Sequence, residues 1–285
     1  MNRRTLLTAA AAAPFLRGQN KPAPPSGLPF QLGCVTYNLL KDLSLDECIK
    51  VLESSGLAAI ELRTGHKHGI EPSISAAERV RVRERFAKSK VRLLSYGTTC
   101  EFHSPDAAVR RTNVESGKAF VDLAVATGAL AVKVRPNGLP TEVDYRTTIA
   151  NISTALRELG EYGQQKGVEI WLEIHGPKTA VPRVSADILE AVHHPNVGAC
   201  WNSNPQDVVE GSVKQSFALL QPFIRNLHIN ELASPEYPWR ELFGLLRKSG
   251  YMRYMLAEVG ASSPEPERFL KYYKALWTEL ASERV

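Results

Sequence analysis

The stretch that decides the fold runs from Leu130 to His175. It opens as Leu130-Ala131-Val132-Lys133-Val134, closes that run at Arg135-Pro136, and takes up a helical period from Asp144 to Lys166. It stops at Gly167 and resumes as Val168-Glu169-Ile170-Trp171-Leu172-Glu173-Ile174-His175. The two outer runs are short, apolar and rich in β-branched residues, as strands are; the middle segment is long and amphipathic, as helices are. Strand, helix and strand in that order make a parallel pair with a helical crossover.

The same texture extends in both directions. Strand-like runs occur at Leu32–Leu39, Ala58–Arg63, Val91–Tyr96, Leu130–Val134, Val168–Ile174, Val197–Trp201, Ile224–Ile229 and Met252–Val259. Amphipathic stretches of about 10 to 20 residues lie between them. Ser44-Leu45-Asp46-Glu47 reads as a capping box, with Leu45, Cys48, Ile49 and Leu52 on one face and Gly56 as the stop. Ser104-Pro105 opens another helix, with Pro105 at a plausible first helical position. Eight strand–helix units in about 250 residues is the size of a closed (β/α)8 TIM barrel. An open doubly wound sheet is the rival. It would carry a Gly-x-Gly-x-x-Gly turn after its first strand, where this chain has Val35-Thr36-Tyr37-Asn38. The expected architecture is a single (β/α)8 barrel over residues 30–283.

Of the 285 residues, 44% are hydrophobic and 23% charged, which excludes disorder and allows a sizeable core. No run approaches the roughly 18 to 20 apolar residues of a bilayer span. The formal charge of +5 is concentrated at the start: Arg3, Arg4, Arg17 and Lys21 precede any acid, and without them 31 basic residues face 30 acidic ones. Arg3-Arg4 stands directly before the apolar, alanine-rich run Leu6–Leu16, and a breaker-rich segment, Lys21-Pro22-Ala23-Pro24-Pro25, follows. This resembles a twin-arginine export leader, so residues 1–25 are expected to be leader and Pro-rich linker and the protein to be exported, to the periplasm. The alternative, an amphipathic terminal helix, lacks a polar face. Cys34, Cys48, Cys100 and Cys200 have no metal-binding spacing and read as small buried hydrophobes, although the sequence leaves a disulfide open.

In a barrel of this kind the chemistry sits at the C-terminal ends of the strands. Five of the seven histidines fall there: His66 and His68 after the second strand, His103 after the third, His175 after the fifth and His228 on the seventh. Glu61, Glu173 and Glu258 stand within or at the end of apolar strands, where a carboxylate is costly unless paired, hydrogen-bonded or bound to metal. Glu173, Glu258 and His228 at one mouth make a pocket suited to Mn2+, Mg2+, Co2+ or Zn2+.

Four segments carry a family resemblance: Gly56-Leu57-Ala58-Ala59-Ile60-Glu61-Leu62-Arg63, Leu172-Glu173-Ile174-His175-Gly176, Asn226-Leu227-His228-Ile229 and Leu256-Ala257-Glu258. In these the chain resembles the xylose isomerase-like barrels, the sugar phosphate isomerase/epimerase group that also holds ketose 3-epimerases, hydroxypyruvate isomerase and endonuclease IV. The resemblance implies one divalent ion held by Glu173, Asn202, His228 and Glu258, with Glu173 and Glu258 also moving protons. Asn202 departs from the usual Asp and Pro205 from a histidine common there. The amide still offers an oxygen but removes one negative charge, so weaker metal binding, or recruitment of His175, is expected.

The implied reaction is proton abstraction beside a carbonyl of a small-molecule carbohydrate. Return of the proton to the same carbon is epimerisation, delivery to its neighbour is aldose–ketose isomerisation, and expulsion of an adjacent leaving group is lyase chemistry on keto-glycosides. A non-catalytic sugar-binding barrel with a degenerate metal site is the reading from another class. His66, His68, His103, His175, Arg135 and Trp239 are the candidate substrate contacts, with loop or surface hydrogen bonding as the bland reading for the histidines. Lys133 and Arg135 could take an anion. Glu61 could touch substrate or pair with Arg63 or Lys133. Tyr37 and Trp201 could stack on a sugar or pack in the core. Nucleic acid is not an expected partner: the chain lacks the ligands of a trinuclear zinc cluster and a basic face.

Overall fold

The computed structural model describes residues 27–283, and the expected leader and linker at residues 1–25 lie outside the described residues. The chain runs β1 (Gln31–Val35), α1 (Tyr37–Leu40), α2 (Leu45–Ser55), β2 (Ala59–Arg63), α3 (Ala76–Ala87), β3 (Arg92–Glu101) and α4 (Ala107–Thr127). It continues through β4 (Ala131–Arg135), α5 (Tyr145–Lys166), β5 (Glu169–Glu173), α6 (Pro182–Val192), β6 (Val197–Asn202), α7 (Lys214–Leu220), β7 (Ile224–Ile229), α8 (Trp239–Lys248), β8 (Tyr254–Ala257) and α9 (Pro266–Ala281).

Local signals set these boundaries. Asp144 caps α5 by accepting from the Thr147 amide, and Gly167 ends it at φ 72°, a left-handed turn that glycine adopts without strain. Ser44 and Glu47 form the expected capping box of α2. Besides shifts of one or two residues at other strand ends, three boundaries differ from the sequence reading. β1 stops at Val35 because the chain coils at once into α1, and β3 runs on to Glu101. Pro105 precedes α4 and is not its first residue: Asp106 is the cap and accepts from the Ala108 amide, a better cap than the pyrrolidine ring allows.

Every strand pairs in parallel with the next, and β8 closes on β1 with Leu32 opposite Met255 and Cys34 opposite Ala257. Side chains alternate across the closed sheet. On β5, Ile170 and Leu172 join the large core between strands and helices. Trp171 points the other way and joins Val35, Ala59, Leu94, Ala131, Cys200 and Leu256 in a separate apolar plug inside the barrel. Below the plug, Glu169 accepts from Trp171 Nε1 at 2.7 Å and from Arg253 Nη2 at 2.6 Å. All four cysteines are buried. Among the described residues no helix is long and apolar enough to cross a membrane.

Candidate active site

The plug explains where the polar side chains go. Two residues beyond a plug residue, the same strand face carries a polar group: Ala59 leads to Glu61, Ala131 to Lys133, Trp171 to Glu173, Cys200 to Asn202 and Leu256 to Glu258. Two residues further come Arg63, Arg135, His175, Asn204 and Gly260. Above the plug these two layers surround a cavity of about 350 Å³, lined by Lys133, Glu173, Asn202 and Glu258 and by Tyr37, Arg63, Arg135, His175, Asn204, Asn230 and Gly260. Glu61, and His228 on β7, do not border this cavity and are fully buried.

Glu173, His228 and Glu258 each offer one ligand atom, and these atoms lie within 4.8 Å of one another. His228 Nδ1 is 3.1 Å from Glu258 Oε2 and 3.4 Å from Glu173 Oε1. Asn202 Nδ2 donates to Glu173 Oε1 at 3.4 Å, while Asn202 Oδ1 is buried with no donor. A buried acceptor without a partner is costly. Here it stands beside two carboxylates and an imidazole, a donor set that fits a divalent cation.

Lys133, which the sequence offered as an anion binder, instead donates from Nζ to Glu173 Oε2 at 2.5 Å, with both side chains almost unexposed. Burial works against both charges. Lys133 nevertheless holds the Glu173 carboxyl well below the usual carboxylate range, and Glu173, with Glu61 and Glu258, holds the ammonium above its ordinary value. Burial keeps the His175 imidazole below its usual pKa although Glu173 draws it upward, and His175 Nδ1 lies 2.8 Å from Asn137 Oδ1. Arg135 pairs with Glu101 and leaves its Nε buried without a partner.

Other candidates stand elsewhere. His68 is buried, with Nδ1 accepting from the Ile70 amide and Nε2 3.0 Å from the Arg63 carbonyl, so both ring nitrogens serve the loop after β2. Trp239 begins α8 inside the core, its ring 4.3 Å from that of Tyr237, and forms no wall at the mouth. The two placements have different causes: His68 is held by its two backbone hydrogen bonds, whereas the Trp239 ring buries its apolar surface against Tyr237 and Phe243. His66 Nδ1 is 2.9 Å from Thr36 Oγ1, and burial lowers its pKa to about 4. His103 is half-buried with Nδ1 unpartnered. Neither borders the cavity. Trp201 is core and donates to Tyr237 Oη at 3.0 Å. Tyr37 lies under the Arg63 guanidinium at 5.0 Å. Asn204, Asn230 and Gly260 line the cavity without having been singled out, although each follows a ligand candidate by two residues just past a strand end.

The sequence pattern of the xylose isomerase-like TIM barrel family matches residues 49–276. The chain belongs to that family. No curated protein matches the sequence of this xylose isomerase-like barrel. Among solved structures, it is similar to an IOLI protein with a bound zinc atom, at TM-score 0.72 and 18% identity over 88% of this chain and 98% of that one. It is also similar to D-psicose 3-epimerase in the presence of D-fructose, at TM-score 0.69 and 16% identity over 88% and 95%. The 3-keto-D-glucoside 4-epimerase YcjR from E. coli superposes at TM-score 0.73 and 11% identity over 88% and 99%. At these identities the likeness is one of fold.

Proposed function

We propose that this xylose isomerase-like barrel is a metal-dependent carbohydrate isomerase or epimerase that removes the proton beside a carbonyl. The observation that carries the reading is the meeting of Glu173, His228 and Glu258, with ligand atoms within 4.8 Å, at the edge of the 350 Å³ cavity. The zinc in the similar IOLI structure and the sugar epimerase activities named for the other two similar folds support it.

Glu173, His228, Glu258 and the Asn202 amide oxygen would hold Mn2+, Mg2+, Co2+ or Zn2+. The bound ion would act as a Lewis acid and acidify the C–H next to the substrate carbonyl. Glu173, kept ionised by Lys133, takes the proton, and Glu258, across the imidazole of His228, supplies one. His175, kept neutral, and the amides of Asn204 and Asn230 offer hydrogen bonds to sugar hydroxyls from the layer above. Arg135 stands at the same level for an acidic substituent. The Arg3-Arg4 pair before the apolar run Leu6–Leu16 supports export to the periplasm, which fractionation of cells expressing the full chain checks.

The test is hydrogen–deuterium exchange followed by NMR. Protein supplied with Mn2+ is incubated in D2O with a panel of ketoses and 3-keto-glycosides. Deuterium should enter at the carbon beside the carbonyl, and exchange should disappear with a chelator or in Glu258→Gln. Loss of a substituent during exchange would identify elimination. Sugar binding that survives chelation, with no exchange in any compound, would replace the enzyme by a sugar-binding barrel.

A further inference from the structure

Glu61 is fully buried on β2, and the proton transfer proposed above does not use it. Neither ion pair foreseen for it forms: Arg63 lies over the Tyr37 ring and Lys133 donates to Glu173. Its Oε2 accepts from Ser95 Oγ at 2.7 Å. Its Oε1 faces His228 Nε2 at 3.4 Å, and both atoms are buried without another hydrogen-bond partner. Gly97 on β3 makes room for this carboxylate, since a Cβ there would stand 2.5 Å from Glu61 Oε1.

We infer that Glu61 is a positioning residue for His228: by accepting a hydrogen bond from Nε2–H, it keeps the ring hydrogen on that nitrogen and leaves the Nδ1 lone pair free to bind a divalent cation. The inference rests on the metal-dependent reading above. Its reason is a competition between acceptors. A neutral imidazole carries one N–H, and the tautomer follows the stronger hydrogen bond. On the Nδ1 side, Glu258 and Glu173 are both carboxylates and would draw that hydrogen to Nδ1, where it blocks the cation. A carboxylate on the Nε2 side reverses the preference, as outer-sphere carboxylates do for metal-bound histidines. A buried acid with one orphaned oxygen aimed at the far nitrogen of the ligand is otherwise an unexplained expense of burial.

Zn2+ titration of the whole protein by calorimetry, together with 15N NMR of the histidine side chains in the Zn2+-loaded form, tests this. The wild type should bind Zn2+ with His228 protonated at Nε2 and coordinated through Nδ1. Glu61→Leu should weaken Zn2+ about 10- to 100-fold. Glu61→Gln, whose amide oxygen still accepts from Nε2–H, should restore most of the affinity. Should Glu61→Leu fail to fold, Gly97→Ala, which crowds Oε1 while keeping the carboxylate, should lower the affinity in the same direction. Equal Zn2+ affinity in wild type and Glu61→Leu, a Gln variant as weak as the Leu variant, or Zn2+ bound through Nε2 would each overturn the inference and leave the metal site standing. A wild type that binds no divalent ion would overturn both.

Discussion

Asn202 and Lys133 decide how strongly the cavity would hold a cation. Asn202 supplies an oxygen without a charge, and Lys133 spends part of Glu173 on an ammonium 2.5 Å away. Restoring the acid by Asn202→Asp should therefore tighten Mn2+ about tenfold, about 1.4 kcal/mol. Calorimetric titration checks this, and an unchanged affinity would mean that residue 202 does not face the ion. Lys133→Met leaves Glu173 buried without its counter-charge, which should cost about 3–5 kcal/mol of stability. Thermal unfolding should show the loss, and added Mn2+ should recover part of it by supplying positive charge to the same carboxylate. Recovery by NaCl alone would point to general screening.

At the level of elements, the loop between β2 and α3 shows a histidine used for architecture. His68 accepts from the Ile70 amide and lies 3.0 Å from the Arg63 carbonyl, so its ring pins the end of β2 to the loop that follows. His68→Ala removes the partners of two partly buried backbone groups and should cost about 1–2 kcal/mol. It should leave Mn2+ affinity unchanged, because the ring stands apart from Glu173, His228 and Glu258. Denaturant unfolding and metal titration on one preparation separate the two effects, and a metal affinity that falls with stability would return His68 to the site. The strands behave differently. Their alternation places Glu173 at the end of β5 and Glu258 one residue past β8, where its amide still donates to the Ile229 carbonyl, so the residues proposed for chemistry stand on the sheet or at its edge.

For the molecule as a whole, Asp207 ties together the segments that follow β6 and β7. Its Oδ2 accepts from Tyr237 Oη and from the Asn204 amide, both at 2.9 Å, and Tyr237 Oη in turn accepts from Trp201 Nε1. Its Oδ1 has no partner. Burial raises its pKa to about 8 from 3.8, against the hydrogen bond from Tyr237. Between those values the folded protein keeps a proton that the unfolded chain has released. Asp207 thus favours folding most below pH 3.8, and its contribution falls as pH rises toward about 8. The slope approaches about 1.4 kcal/mol per pH unit in that window. Urea unfolding at pH 5, 6, 7 and 9 should show this component in the wild type and lose it in Asp207→Asn. Identical profiles for the two proteins would show that Asp207 is ionised in the fold.

The alternation of strands and helices, the caps at Ser44, Asp144, Gly56 and Gly167, and the polar positions at the strand ends were all readable from the chain. Each depends on neighbours within a turn of helix or a few strand residues, and such periods and caps are local. The meeting of residues 61, 173, 228 and 258 is another matter. Closure of β8 on β1 and the stagger of eight strands bring them together. That same closure left Glu61 facing the back of His228, while the pairing of β4 with β5 set Lys133 beside Glu173 and the packing of α8 took Trp239 into the core. A side chain's partner is set by whichever distant strand the barrel lays beside it, and no local pattern encodes that distance.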